Sequence, residues 1–188
     1  MDIFLIRHTK TDTLAGLCYG QTDVPLAATF AEEVRALHLK LPVVTEHCLV
    51  FSSPLRRCRD LAQTFQKPIQ VDNRLLELNF GDWENRLFDE IDAALLKKWT
   101  ENFVTHAPPN GETFNGLCFR AGQFWEDLLS KTQAEQVLLI THAGVIRALL
   151  THILQLPPAN AFKFRVDVGS IHKLQHLDNY TYLHYINR

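Results

Sequence analysis

Three short, unbroken apolar runs each end in residues that carry a charge or an imidazole, and this pattern limits what the chain can fold into. Ile3 to Ile6 is followed at once by Arg7 and His8. Leu49 to Phe51 is followed by Ser52 and Ser53 and then by Arg56 and Arg57. Val137 to Ile140 is followed by Thr141, His142, Ala143 and Gly144. Such runs are the pattern of strands buried on both faces of a parallel sheet. Helical patterns lie between them. Thr29 to Leu41 opens with Thr29 and Glu32 at capping-box spacing, sets Phe30, Val34, Leu37 and Leu41 on one face, and stops at Pro42. Ser53 reads as an N-cap with Pro54 at the first helical position, ahead of Leu55, Cys58, Ala62 and Phe65. The stretch from about Glu84 to Lys131 reads as helical, interrupted at 106–112. A helix from Thr113 turns Phe114, Leu117, Ala121, Phe124 and Leu128 inward. A last helix runs from about Gly144 to Gln155, and Lys163 to Ile186 alternates as short strands. Strands alternating with helices predict an α/β layer fold with a mostly parallel sheet.

The length of 188 residues fits one domain. A net charge of -2 and the lack of a basic stripe exclude nucleic acid as an expected partner. No apolar stretch approaches the roughly 18 residues of a spanning helix, and the N-terminus has no signal-peptide pattern. Cys18, Cys48, Cys58 and Cys118 lack CxxC spacing, so free thiols in a reducing, cytoplasmic setting are expected. His172 and His176 fall in a strand-like run, about 13 Å apart there, which excludes a shared metal. No aspartate set is spaced for Mg²⁺, and neither GxGxxG nor GxxxxGK[ST] occurs, which disfavours a nucleotide-binding module.

Ligands of open parallel sheets bind beyond the carboxyl ends of the strands. There the three runs deliver Arg7, His8, Arg57 and His142, and Leu75-Leu76-Glu77 ends a weaker apolar stretch with a carboxylate. Two arginines, two histidines and a glutamate suit a phosphate monoester. Arginine binds phosphate oxygens through a planar fork. A neutral imidazole can attack phosphorus, and a carboxylic acid can protonate the leaving oxygen. Without a metal, the arginines and a protonated histidine would supply the positive field. Each residue also has a plainer reading. Arg7 and His8 could end a strand at the surface, and Arg57 could share a solvated face with Arg56 and Arg59. His142 could be a core histidine and Glu77 a surface carboxylate. The convergence of all five favours a site. Tyr19, Phe80 and Trp83 could stack on a flat base or form ordinary core. Glu112 could cap the Thr113 helix or hold an active-site arginine, and Arg147 reads as structural.

At these residues the chain resembles the histidine phosphatase superfamily, also called phosphoglycerate mutase-like. Leu5-Ile6-Arg7-His8-Thr9 is similar to its Arg-His-Gly signature. Ser53-Pro54-Leu55-Arg56-Arg57 is similar to its Ser-x-Leu-x-Arg motif, which selects Arg57 over Arg56. Leu76 to Glu84 resembles its Glu-x-x-Phe-Gly-x-Trp-Glu segment, and Thr141 to Arg147 its second histidine motif. Gly20 to Leu26 and Pro109 to Thr113 also fit. The resemblance implies a three-layer α/β/α fold, with the segment 84–131 covering the site. It implies His8 as nucleophile, Glu77 as acid and base, and Arg7, Arg57 and His142 as phosphate ligands, with no cofactor or metal. Cys18 to Asp23 and Cys58-Arg59 look most like the α-ribazole phosphatases, a branch that removes the 5′-phosphate of a benzimidazole riboside in cobalamin assembly. Tyr19, Gly20, Gln21, Phe80 and Trp83 are the substrate-binding candidates on that reading. A phosphoglycerate mutase, a sugar-phosphate phosphatase and a catalytically silent phosphate-binding scaffold are the alternatives. The expected partner is a small phosphomonoester; the sequence leaves the oligomeric state open. Three positions depart from the family pattern: Thr9 replaces the signature glycine, Leu14 an asparagine that touches phosphate, and Asn85 a glycine after Trp-Glu.

Overall fold

The three apolar runs lie at the centre of one six-stranded sheet. The computed structural model describes all residues, Met1 to Arg188. Its strands are β1 (Asp2–Arg7), β2 (Leu49–Ser52), β3 (Ile69–Val71), β4 (Gln136–Thr141), β5 (Ile171–Leu177) and β6 (Tyr180–Tyr185). The spatial order is β3-β2-β4-β1-β5-β6. The first four are mutually parallel, whereas β5 runs antiparallel to β1 and β6 antiparallel to β5. Helices α1 (Phe30–Lys40), α2 (Arg56–Gln63), α3 (Ala93–Asn102), α4 (Phe114–Lys131) and α5 (Ala143–Ile153) complete the regular structure.

Successive strand residues point to opposite faces, so the central strands build two cores at once. Ile3, Leu5, Val137 and Leu139 pack with α4 and α5 through Leu117, Phe124, Ile146 and Leu149. Phe4, Ile6, Val50, Leu138 and Ile140 pack with α1 and α2 through Leu37, Cys58 and Leu61. This is the expected three-layer arrangement with a mostly parallel sheet.

Several local expectations are corrected. Thr29 flanks α1, but its side chain makes no cap hydrogen bond; its hydroxyl donates to Glu33 instead of joining a box with Glu32. Ser53 does not cap α2, which starts later, after Leu55. β3 is an edge strand of three residues, of which Gln70 and Val71 are exposed, so it shows no apolar run. The stretch before Glu77 is not a strand but a 3₁₀ turn, Asn73–Leu75. Thr113 does cap α4 by accepting from the Gly116 N–H. No helix is long and apolar enough to cross a membrane.

Leu139 is fully buried in β4 between two strands and the α4/α5 layer. Leu139→Ala is expected to cost about 2–5 kcal/mol of stability, read as a lower urea midpoint with an unchanged slope.

Candidate active site

Parallel register brings the strand ends side by side. Arg7 lies opposite Thr141, and Ser52 opposite Ile140. The pairing continues one residue past the strands, where the His8 N–H donates to Thr141 O and the Ser53 N–H donates to Ile140 O. At this edge is a cavity of about 140 Å³ walled by Arg7, His8, Arg57 and Glu77, with Tyr19, Gly20 and Phe80 around them. Larger hollows near Cys118 and near Tyr180 contain none of the five predicted residues.

His8 is 3% exposed. Its Nδ1 lies 2.7 Å from Thr9 O. A carbonyl only accepts, so Nδ1 carries the proton and Nε2 keeps its lone pair. Burial, followed by the nearby Arg57 charge, lowers the His8 pKa to about 3, against the pull of the Thr9 carbonyl. The imidazole is therefore neutral at physiological pH.

Arg57 is 1% exposed, yet no carboxylate pairs with it. Its Nη1 and Nη2 donate to Thr22 O at 2.9 Å and Gly20 O at 2.6 Å. Its guanidinium stands 5.4 Å from the centre of the Tyr19 ring. Arg7 Nη1 donates to Val166 O at 2.8 Å, and Arg7 likewise lacks an acidic partner. The Nε atoms of both arginines are buried without a hydrogen-bond partner. Two guanidiniums held by carbonyls alone leave a local positive potential suited to an anion.

His142 precedes α5 and is fully buried behind the cavity, with its ring edge-on to His8 at 5.2 Å. Ser53 Oγ lies 2.8 Å and Cys58 Sγ 3.5 Å from its Nε2. Burial, then the Arg57 and His8 charges, hold its pKa well below the usual value. The expected protonated histidine is thus corrected: burial beside two arginines keeps His142 neutral.

Glu77 reaches the cavity from an irregular segment. Its carboxylate accepts from the Leu78 N–H at 2.9 Å and from the Gly144 N–H, at the start of α5, at 3.0 Å. Gly144 is required for this approach, since a Cβ there would come within 2.2 Å of Glu77 Oε1.

The structure does not bring every candidate to the cavity. Trp83 is 3% exposed and packs edge-on to Trp99 in a small core with Cys18 and Ile91. Its stacking role is corrected, because an indole so enclosed has no face to offer. Gln21 turns away to donate from Nε2 to Glu77 O. Leu14 is 71% exposed. Thr9 avoids positive φ and is buried, while Asn85 adopts φ +64°, a region asparagine tolerates better than most residues. Leu17, Cys18 and Phe88 also wall the cavity. They escaped sequence reasoning because a bridge between Leu17 and Leu87 joins positions 70 apart. Ser53 stood within a recognised motif, but its hydroxyl was read as a cap rather than as a partner for His142.

A profile of the histidine phosphatase superfamily (branch 1) matches residues 3–188. The chain belongs to that superfamily. It is similar to the adenosylcobalamin/alpha-ribazole phosphatase of Escherichia coli K12, with 32% identity over 177 residues, spanning 90% of this chain and 87% of the relative. The crystal structure of the alpha-ribazole phosphatase of Shigella flexneri superposes with a TM-score of 0.91 at 29% identity, covering 100% of this chain and 96% of that one. A mycobacterial glucosyl-3-phosphoglycerate phosphatase gives 0.84 at 27% identity, over 99% and 98% of the chains. The protein is a phosphatase, and such enzymes act on small phosphorylated substrates.

The buried histidines predict an acid-sensitive fold. The pKa of His8 is lowered to about 3 and that of His172 to about 4, each mainly by burial; His142 is also lowered. Unfolded histidine titrates near 6.5. Below that pH the unfolded chain binds more protons than the native one, so stability falls with falling pH. The contribution is complete above about pH 6.5 and is lost progressively toward pH 4 and below. Thermal melts at constant ionic strength should show Tm dropping through this window. A flat Tm from pH 7 to pH 4.5 would contradict neutral burial of these rings.

Proposed function

We propose that the chain is a metal-independent phosphomonoesterase that carries the phosphoryl group on His8, and that its substrate is α-ribazole 5′-phosphate. The observation that carries the reaction is the tautomer-locked His8, whose free Nε2 lone pair stands among two arginines without acidic partners. In the first step Nε2 forms a bond to phosphorus as the ester P–O bond breaks, and protonated Glu77 gives its proton to the leaving oxygen. Arg7 and Arg57 bind the equatorial oxygens, and His142 supports the same face with a neutral N–H. The phosphorylated ring stays protonated at Nδ1, so it is cationic. The Thr9 carbonyl stabilises that charge, and the N–P bond is a reactive one. In the second step the Glu77 carboxylate takes a proton from water, and the water oxygen attacks phosphorus. The N–P bond breaks and inorganic phosphate leaves.

The substrate assignment rests on the walls. Tyr19, Phe80 and Phe88, with Leu17, give the cavity an aromatic and apolar rim. Its volume of about 140 Å³ holds a phosphate with part of a sugar and leaves a flat base to lie against that rim. The names of the E. coli and Shigella relatives point the same way. A metabolic phosphatase of this kind would work in the cytoplasm.

His8→Ala should lose turnover by about 10⁴-fold or more while keeping its circular dichroism, and rapid quench should trap phosphate on His8 in the parent protein. Full turnover in His8→Ala would end the covalent reading. Activity should survive EDTA. In a kcat/KM panel, α-ribazole 5′-phosphate should exceed 3-phosphoglycerate, fructose bisphosphate and a nucleotide monophosphate by at least about tenfold. Equal rates on all four would remove the substrate and leave the reaction class.

A further inference from the structure

Glu77 belongs to no helix or strand, yet a proton donor must be aimed closely; a misplacement of 1 Å can cost about 10²-fold in rate. The segment around it is held by side chains rather than by a backbone ladder. Thr141 Oγ1 donates to Leu75 O, and Gln21 Nε2 donates to Glu77 O. The Asn79 N–H donates to Glu112 Oε2 and the Phe80 N–H to Glu84 Oε1. Three carbonyls of the segment converge on one residue of α4. Arg120 Nη1 donates to Arg74 O and Leu76 O, and Nη2 donates to Glu77 O at 2.9 Å. Its other donors engage Glu112, Nε to Oε1 at 2.8 Å and Nη2 to Oε2 at 2.8 Å. These contacts use all five N–H groups of the guanidinium, so none remains for a phosphate.

We propose that Arg120, held by Glu112, is the positioning residue that aims the Glu77 carboxyl at the leaving-group oxygen. The inference rests on the reading of Glu77 as the acid. Glu112 is tied to the same segment, since its own N–H donates to Asn79 O at 2.8 Å. The Arg120 and Glu112 side chains are 18% and 20% exposed, so the pair is shielded enough to hold one geometry. The carboxylate itself rests on the Leu78 and Gly144 N–H groups. The main chain of Glu77 is thus pulled toward α4 while its carboxyl group is fixed at α5, and both helices pack on the same face of the sheet. Lysine cannot replace this fork, because an ammonium has three donors on one atom and cannot span five acceptors.

The test is leaving-group dependence in Arg120→Lys, Glu112→Gln and Glu77→Gln, each checked for a cooperative melt. With an alkyl phosphate, which needs the acid, kcat/KM should fall about 10²-fold in all three. With 2,4-dinitrophenyl phosphate, whose leaving group needs no proton, kcat/KM should stay within about threefold of the parent. That substrate should also show a new burst of dinitrophenolate, because Glu77 no longer activates water efficiently in the second step. An equal loss on both substrates in the Arg120 and Glu112 variants, with the discrimination confined to Glu77→Gln, would overturn the positioning role and leave Glu77 as the acid. No discrimination in Glu77→Gln would overturn the acid assignment and this inference with it.

Discussion

The structure turns on a buried positive charge that has no carboxylate to neutralise it. Removing Arg57 from water costs several kcal/mol unless its N–H groups find partners. The chain supplies Gly20 O and Thr22 O, which orient the fork without cancelling its charge. A carboxylate in their place would make a stable ion pair and remove the attraction for phosphate. The same field acts on the neighbouring imidazoles. With burial it keeps His8 and His142 neutral, and a neutral His8 is what a nucleophile requires. Arg57, together with Arg7, therefore gives the pocket a potential that attracts an anion and helps set the protonation state of the proposed attacking group.

That arrangement fixes where the acid can be. In its proposed role Glu77 lies close enough to serve the leaving oxygen, yet it forms no ion pair with Arg7 or Arg57. The fold meets both demands by giving the carboxylate two backbone N–H partners, one from the first turn of α5, where the helix dipole favours negative charge. Glycine at 144 lets the two approach, and an alanine there would collide with the carboxylate.

The central strands were legible because a strand buried on both faces needs only apolar residues in succession, and three such runs occur. Their ends were legible for the same reason, since the first polar residues after each run must emerge at one edge. β3 could not be read this way, because an edge strand half in solvent has no such pattern. Trp83 and Ser53 misled in a shared way: the residue type was read correctly, but its partner lies far along the chain. Trp83 found a core with Cys18, 65 positions earlier, and Ser53 found His142 across 89 positions. The Arg120 contacts were illegible on the same grounds, since they join α4 to carbonyls 43 to 46 residues earlier.

This division has a consequence for how the protein can vary. Arg7, His8 and His142, which are proposed to meet the phosphate, are fixed to the sheet by register, and a one-residue slip in β1 or β4 would turn every core side chain to the wrong face. The rim is under no such constraint. Tyr19, Phe80 and Phe88 sit on loops and a short 3₁₀ turn, joined by the Leu17–Leu87 bridge, by backbone hydrogen bonds from Cys18 N–H to Arg86 O and from Phe88 N–H to Gly16 O, and by edge-on ring contacts. Those segments can change shape without moving Arg7 or His8, so long as Gly20 O and Thr22 O keep their hold on Arg57. Reaction class therefore belongs to the strand ends, and the choice of leaving group to the loops at 17–20 and 80–88. The chain can share an α/β scaffold at a TM-score of 0.84 with a phosphatase named for a sugar phosphoglycerate while the loops of its rim are set independently of that scaffold.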